Sequence, residues 1–263
     1  MVDIFFNNLI GKTYIFRLDP RVKFISLLII FISLLTVKHI EFYLFWFLLA
    51  FILTFSNKIH PKFFLRPLKI FLWLFILTIT FHALFTPGKV ILHLAKIYIT
   101  VEGIQKGIFF SLRLFLIILF TYLFSLTTNP MDLTDGLSRL FSPLRKLKLP
   151  VDDLFTIVHI SIRFIPTLFE QSSRILMAQR ARGLNFNVNL LRKIRHIPSL
   201  IGPVILLAIK RTNDLALALE SRWYHPGKKR TSFIVLRLKP IDYSAISILL
   251  IFTGAIFFCE ILR

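Results

Sequence analysis

Arg182 and Arg222 are the side chains best placed to do chemistry in this 263-residue chain, and that chemistry is recognition. Arg182 sits in Ala178-Gln179-Arg180-Ala181-Arg182-Gly183, and Arg222 follows 40 residues on in Glu220-Ser221-Arg222-Trp223. Arginine presents a planar, permanently charged fork that pairs carboxylates bidentately. Each of these two closes a long amphipathic stretch, where exposed helix carbonyls welcome a cation. Gly183 suits the left-handed residue that ends a helix. Taken alone, Arg182-Gly183 is ordinary helix closure. Two arginine-bearing ends in one basic region suggest two acidic sockets on a partner.

No other constellation carries catalysis. No G-x-x-x-x-G-K-[ST] occurs, and Gly227-Lys228-Lys229-Arg230-Thr231 lacks the upstream glycine and any preceding strand. The seven histidines (39, 60, 82, 93, 159, 196 and 225) form no H-x-x-x-H and pair with no carboxylate at metal-ligand spacing. No catalytic residue, metal site or cofactor is therefore expected. His82 reads as an end-of-helix histidine near an interface, and Arg113 as a side chain that snorkels to the outer interface. The one cysteine, Cys259, lies in an apolar block and excludes an intrachain disulfide.

The elements that must position the two arginines are helices. A short one is expected over about 131–140, ending near Ser142-Pro143. A second is expected from about Asp152 to Ala181, with Leu154, Val158, Ile165, Leu168 and Ile175 on one face. Pro166 is expected to kink it. A third is expected from about Ser199 to Arg222, its seam of Ile201, Ile205, Ala208, Thr212, Leu215 and Leu219 suited to helix crossing. Small residues (Ser161, Ser172, Ala208, Ala216 and Ala218) would let the two long helices approach closely.

The rest of the chain is membrane-like. It is 56% apolar and carries a formal charge of +20, against roughly 45–50% apolar in a soluble domain. Apolar blocks cover 24–37, 42–56, 70–85, 108–126 and 241–262. The last two reach the length of about 20 residues that a span needs; the first two read as a tight helical hairpin. Asp19-Pro20 marks a helix start, with aspartate as cap and proline in the first turn, and Asn129-Pro130 with Asp132 repeats it. No cleavable signal is apparent, so the N-terminus is expected to be retained.

Residues 127–240 hold 19 Lys+Arg against 7 Asp+Glu, a net of +12. Basic loops favour the cytoplasmic side. The expected organisation is all-α and polytopic. About four spans lie in 1–128, a cytoplasmic helical domain in 129–240 and a fifth span in 241–263, with the N-terminus inside and the C-terminus outside. The basic residues are spread along helices with no recognition motif, which argues against nucleic acid as a partner.

Six stretches in order then resemble the transmembrane coupling (T) component of energy-coupling factor transporters. They are Leu18-Asp19-Pro20-Arg21-Val22-Lys23, Thr127-Thr128-Asn129-Pro130-Met131-Asp132-Leu133, Ser142-Pro143-Leu144-Arg145, Arg163-Phe164-Ile165-Pro166, and the two arginine ends. The resemblance implies a pair of Ala-Arg-Gly triplets that dock in the grooves of two ATP-binding-cassette subunits, as a hetero- or homodimer. Ala181-Arg182-Gly183 matches fully; Ser221-Arg222-Trp223 keeps only the arginine. With tryptophan for glycine, the easy left-handed cap is lost and the second helix is free to continue toward Pro226-Gly227. The resemblance further implies a non-catalytic, multi-pass subunit of the cell membrane. It would pass ATPase motion to a separate substrate-binding membrane subunit for uptake of vitamins or transition-metal ions. The competing class is a self-contained secondary transporter or channel, which would need ionisable residues, broken helices or inverted repeats at membrane depth.

Overall fold

The computed structural model describes residues 18–56, 67–94, 97–183, 190–227 and 238–262. Its elements in chain order are α1 (Pro20–Thr36), α2 (Ile40–Ser56), α3 (Leu72–Phe85), β1 (Val90–Leu94), β2 (Ile97–Thr100), α4 (Val101–Thr127), α5 (Pro130–Leu140), a 3₁₀ segment (Ser142–Leu147), α6 (Val151–Ala181), α7 (Leu190–Ser221) and α8 (Pro240–Ile261). The fold is an all-α membrane protein, with one antiparallel β-ribbon that the sequence reading does not include. The ribbon lies between α3 and α4. The chain divides into two compact units, residues 1–136 with 236–263 and residues 137–235.

In the first unit, α4 and α8 are long and apolar enough to cross a membrane, while α2 and α3 are shorter apolar helices. α4 is the hub. Phe115, Leu116, Leu119, Phe120 and Leu123 share one core with Ile30 and Leu34 of α1, Tyr43, Trp46 and Ala50 of α2, Phe75 of α3 and Ile256 of α8. The buried positions of α2 step by three and four, as one face of a helix must. Its remaining faces are equally apolar and exposed, as suits a lipid-facing surface.

Local contacts give each helix a direction. The Asp19 amide at the start of α1 donates to Asp242 at the start of α8 (3.0 Å), and Lys38 after α1 donates its amide to Glu260 near the end of α8 (2.6 Å). α1 and α8 therefore run parallel. Lys23 reaches the last carbonyl of α4, Thr127 O, at 2.7 Å, so α4 runs the opposite way. Tyr43 packs on Phe109 and Phe47 on Phe115, so α2 follows α4. α3 opposes α4 through Gly103 and Gly107. A Cβ on Gly107 would lie 2.9 Å from the Ile79 Cα, and one on Gly103 would lie 2.5 Å from the His82 carbonyl oxygen. This pair of small residues one turn apart lets two backbones touch.

Asp19 caps α1 as expected, accepting from the Arg21 amide at 3.0 Å, and Asn129 accepts from the Met131 amide at 3.1 Å ahead of α5. Arg113 departs from the snorkelling read in the sequence. Its guanidinium donates to the Tyr43 hydroxyl and to Val37 O, both at 2.7 Å, and lies over the rings of Phe109 and Phe110. A cation is thereby held at the carboxyl end of α1, where carbonyls are unpaired. His82 bonds Thr78 O through Nδ1 at 2.9 Å and stacks on Phe110, a satisfied residue in the last turn of α3.

Candidate functional site: two arginine-tipped helices

α6 begins after Pro150, with Asp152 and Asp153 in its first turn, where carboxylates suit the helix dipole. Asp152 is anchored by Arg145 Nη2 at 2.6 Å. The helix then runs 31 residues without a break, through Pro166. That is about 46 Å of helix. Arg163 and Pro166 are both exposed on it.

α7 starts earlier than the sequence reading places it. It spans Leu190–Ser221 and carries Pro198 and Pro203 inside it. Each proline removes one ladder bond without ending a helix that neighbours support. Among the expected seam residues, Ala208, Leu215 and Leu219 are half-buried, while Ile201, Ile205 and Thr212 are exposed. The half-buried line includes Val204, Leu207 and Arg211, so the inward face is rotated from the purely apolar seam.

Two polar contacts orient α7 against α6. With its amide turned to suit, Gln171 accepts from Arg211 Nε at 2.7 Å, in the carboxyl-terminal half of both helices. Beyond the end of α7, the Gly227 amide donates to Asp153 Oδ2 at 2.8 Å, back at the start of α6. The helices are therefore antiparallel. The end of α7 lies beside the start of α6, and the two arginine ends point opposite ways.

Both ends close alike. At α6 the Arg182 amide bonds Ala178 O and Gln179 O (3.2 Å each), the Gly183 amide bonds Arg180 O (3.0 Å), and Gly183 is left-handed at φ 91°. At α7 the Trp223 amide bonds Glu220 O (2.9 Å) and the Tyr224 amide bonds Leu219 O (3.0 Å). That crossed pair is the usual left-handed helix closure, with the glycine position filled by Trp223 at φ 58°. The helix does not continue toward Pro226-Gly227; it stops at Ser221 and the bulky residue takes the strained conformation itself. Trp223 is 84% exposed and lies flat against His225, whose Nδ1 meets Trp223 O at 2.9 Å. Ala181, Arg182, Gly183, Ser221 and Arg222 are exposed as well.

The Asp19-Pro20-Arg21 stretch is a junction in the first unit. Asp242 accepts from the Asp19 amide and, through Oδ2, from the Lys239 amide at 2.7 Å. Arg21 Nε lies 3.7 Å from Asp19 Oδ1. Gly136 of α5 packs on this turn, where a Cβ would come within 3.2 Å of Pro20 Cβ. Burial pushes the Asp132 carboxyl above its ordinary value, and repulsion from Asp135 adds to it, while Lys23 opposes. Asp242 is a junction residue that the sequence reading misses. Its place three residues after Lys239, with Pro240 between, repeats the helix-start grammar of Asp19-Pro20 and is the available signal.

Comparison with known proteins places these features in a family. A family model described as CbiQ, cobalt transport protein, matches residues 11–233. The chain is 36% identical over 244 residues to the energy-coupling factor transporter transmembrane protein EcfT of Thermanaerovibrio acidaminovorans, covering 92% of this chain and 91% of that one. It is 34% identical over 250 residues to EcfT of Bacillus subtilis and 35% identical over 249 residues to EcfT of Listeria innocua, each match covering 94% of both chains.

Proposed function

This chain belongs to the family of energy-coupling factor transporter transmembrane proteins, and on that premise we propose that it is the mechanical transmitter of an ATP-driven importer. In this reading Ala181-Arg182-Gly183 and Ser221-Arg222-Trp223 each seat in a groove of one ATP-binding-cassette subunit, the two subunits being identical or different. Closure and opening of the ATPase pair moves α6 and α7. That motion passes to a separate substrate-binding membrane subunit, which carries a vitamin or a transition-metal ion across. The chain itself is non-catalytic, and ATP hydrolysis belongs to the partners. Residues 129–240 form the cytoplasmic coupling domain, and the helices on either side cross the cell membrane.

The observation that carries this reading is the matched pair of helix ends. Each has an exposed arginine directly before a left-handed closing residue, and the antiparallel run of α6 and α7 sends them in opposite directions. One pair of helices thus offers two like plugs to two sockets. A guanidinium at a helix carboxyl terminus is poised for a carboxylate on the partner. Exposed Leu154, Ile157, Phe169 and Met177 on α6 leave an apolar surface for the substrate-binding subunit.

The test is co-purification. Tagged chain co-expressed with its ATPases is expected to recover both; Arg182→Ala with Arg222→Ala is expected to lose them, since breaking a buried charge-assisted pair typically costs about 2–5 kcal/mol. Undiminished recovery and transport with both arginines replaced would sink the proposal.

A further inference from the structure

The two arginine ends are alike in backbone and unlike in what stands beside the arginine. Gly183 and Trp223 both close their helices from the left-handed region, at φ 91° and 58°. A Cβ added at Gly183 would meet nothing within 4 Å. Space within the chain therefore does not account for a ring standing at the α7 end alone. Trp223 is 84% exposed, yet the backbone that carries it is fixed on both sides. Its amide bonds Glu220 O at 2.9 Å, the Tyr224 amide bonds Leu219 O at 3.0 Å, and the Gly227 amide donates to Asp153 Oδ2 at 2.8 Å. The ring lies flat against His225, with centroids 6.2 Å and planes 18° apart, and His225 Nδ1 lies 2.9 Å from Trp223 O. A bulky residue held exposed in the left-handed region is an outlier of the kind that points to function. Tryptophan is also a side chain that dominates interfaces, since it buries a large, rigid surface at little entropic cost.

We propose that Trp223 is the specificity anchor of the α7 end: its ring fills an apolar cleft of an ATP-binding-cassette subunit, beside the carboxylate that takes Arg222. This rests on the docking reading above. Adjacent Cα atoms are about 3.8 Å apart, so the surface that seats Arg222 is the one that must receive the ring. The stacked His225 and the pinned turn hold the indole in place before docking, which cuts the cost of ordering it on binding. The α6 end offers no such group, because Gly183 presents only backbone. The socket for α7 is thus a carboxylate with an apolar cleft next to it, and the socket for α6 is a carboxylate against which a backbone packs.

Affinity measurements on the full chain in detergent test this, with the ATPases that co-purify with it as the titrant. Trp223→Gly keeps Arg222 and the left-handed closure and removes only the ring. It is expected to weaken binding about 30-fold, the loss typical of an interface anchor. Trp223→Phe, which keeps an apolar ring, is expected to stay within about 5-fold of the unaltered chain. The ratio between Trp223→Gly and the unaltered chain is expected to be the same at low and high salt, because apolar burial is not screened as the arginine contacts are. Amide exchange across 213–225 shows that the helix end survives the substitution; where it does not, Trp223→Phe against Trp223→Asn, which tolerates the left-handed region, makes the same comparison. Trp223→Gly binding as tightly as the unaltered chain, Trp223→Phe binding as weakly as Trp223→Gly, or a ratio that vanishes at high salt overturns the proposal. In each of those cases loss of binding by Arg182→Ala with Arg222→Ala leaves the docking reading standing. Full binding by that double variant removes the docking reading and the anchor with it.

Discussion

At the scale of residues, Trp223 and Arg113 show what local grammar conveys and what it omits. Helix starts are legible because the cap and the capped amide are neighbours: Asp19 serves Arg21 and Asn129 serves Met131. Arg113 is not legible in the same way, since its acceptors lie 70 and 76 residues upstream, at and beyond the ends of other helices. Nothing in its neighbourhood announces that Val37 has a free carbonyl. Trp223 is the opposite case: the missing glycine is visible, but its consequence is not. Hydrogen bonding from Trp223 and Tyr224 to the last turn outweighs the steric penalty of the left-handed conformation, and the helix ends where glycine would have ended it. The penalty remains stored, at about 1 kcal/mol or more for a bulky side chain. Trp223→Gly is therefore expected to tighten this helix end, slowing amide exchange in a peptide covering 213–225 by about 5-fold. Unchanged or faster exchange would mean that the tryptophan ring, through His225, contributes more than the backbone loses.

At the scale of elements, periodicity serves the amphipathic helices and fails the apolar ones. α6 and α7 alternate polar and apolar residues, so their existence and direction of burial are readable, although Arg211 rather than Ile205 faces inward. α2 and α3 are apolar all round, and hydrophobicity cannot distinguish the face that meets α4 from the face that meets lipid. Residue size does. Gly103 and Gly107 mark the line where α4 touches α3, whereas a Cβ added at Gly254 of α8 would meet nothing within 4 Å. The same substitution should therefore act with opposite sign at two helical glycines. Gly254→Ala is expected to stabilise by up to about 1 kcal/mol through helix propensity. Gly107→Ala must push against the Ile79 backbone and is expected to destabilise by about 1–3 kcal/mol. Thermal unfolding of the purified protein in detergent reads both, and a Gly107→Ala protein as stable as Gly254→Ala would refute close α3–α4 packing.

At the scale of the whole molecule, helix directions constrain how the chain sits in a bilayer. α1, α3 and α8 run one way and α2 and α4 the other, from contacts at their ends and along their lengths. The chain thus goes across and back twice before α5, and α8 repeats the direction of α1. Five crossings follow if each of these helices spans, with the Asp19–Asp242 end on one side and the Lys38–Glu260 end on the other. On the function proposed above, the basic charge of residues 127–240 would place the first of these ends in the cytoplasm. Charge alone leaves α1 and α2 open to being a re-entrant pair; the parallel pairing of α1 with α8 argues for full crossings, because both ends of the two helices coincide. A chain with Cys259→Ser can carry one new cysteine at either end. Lys38→Cys is expected to react with a membrane-impermeant maleimide in intact cells, and Lys146→Cys only after lysis. The reverse pattern would invert the molecule and remove the arginine tips from any cytoplasmic ATPase. Protection of both would instead make α1 and α2 a re-entrant pair that never reaches the far side.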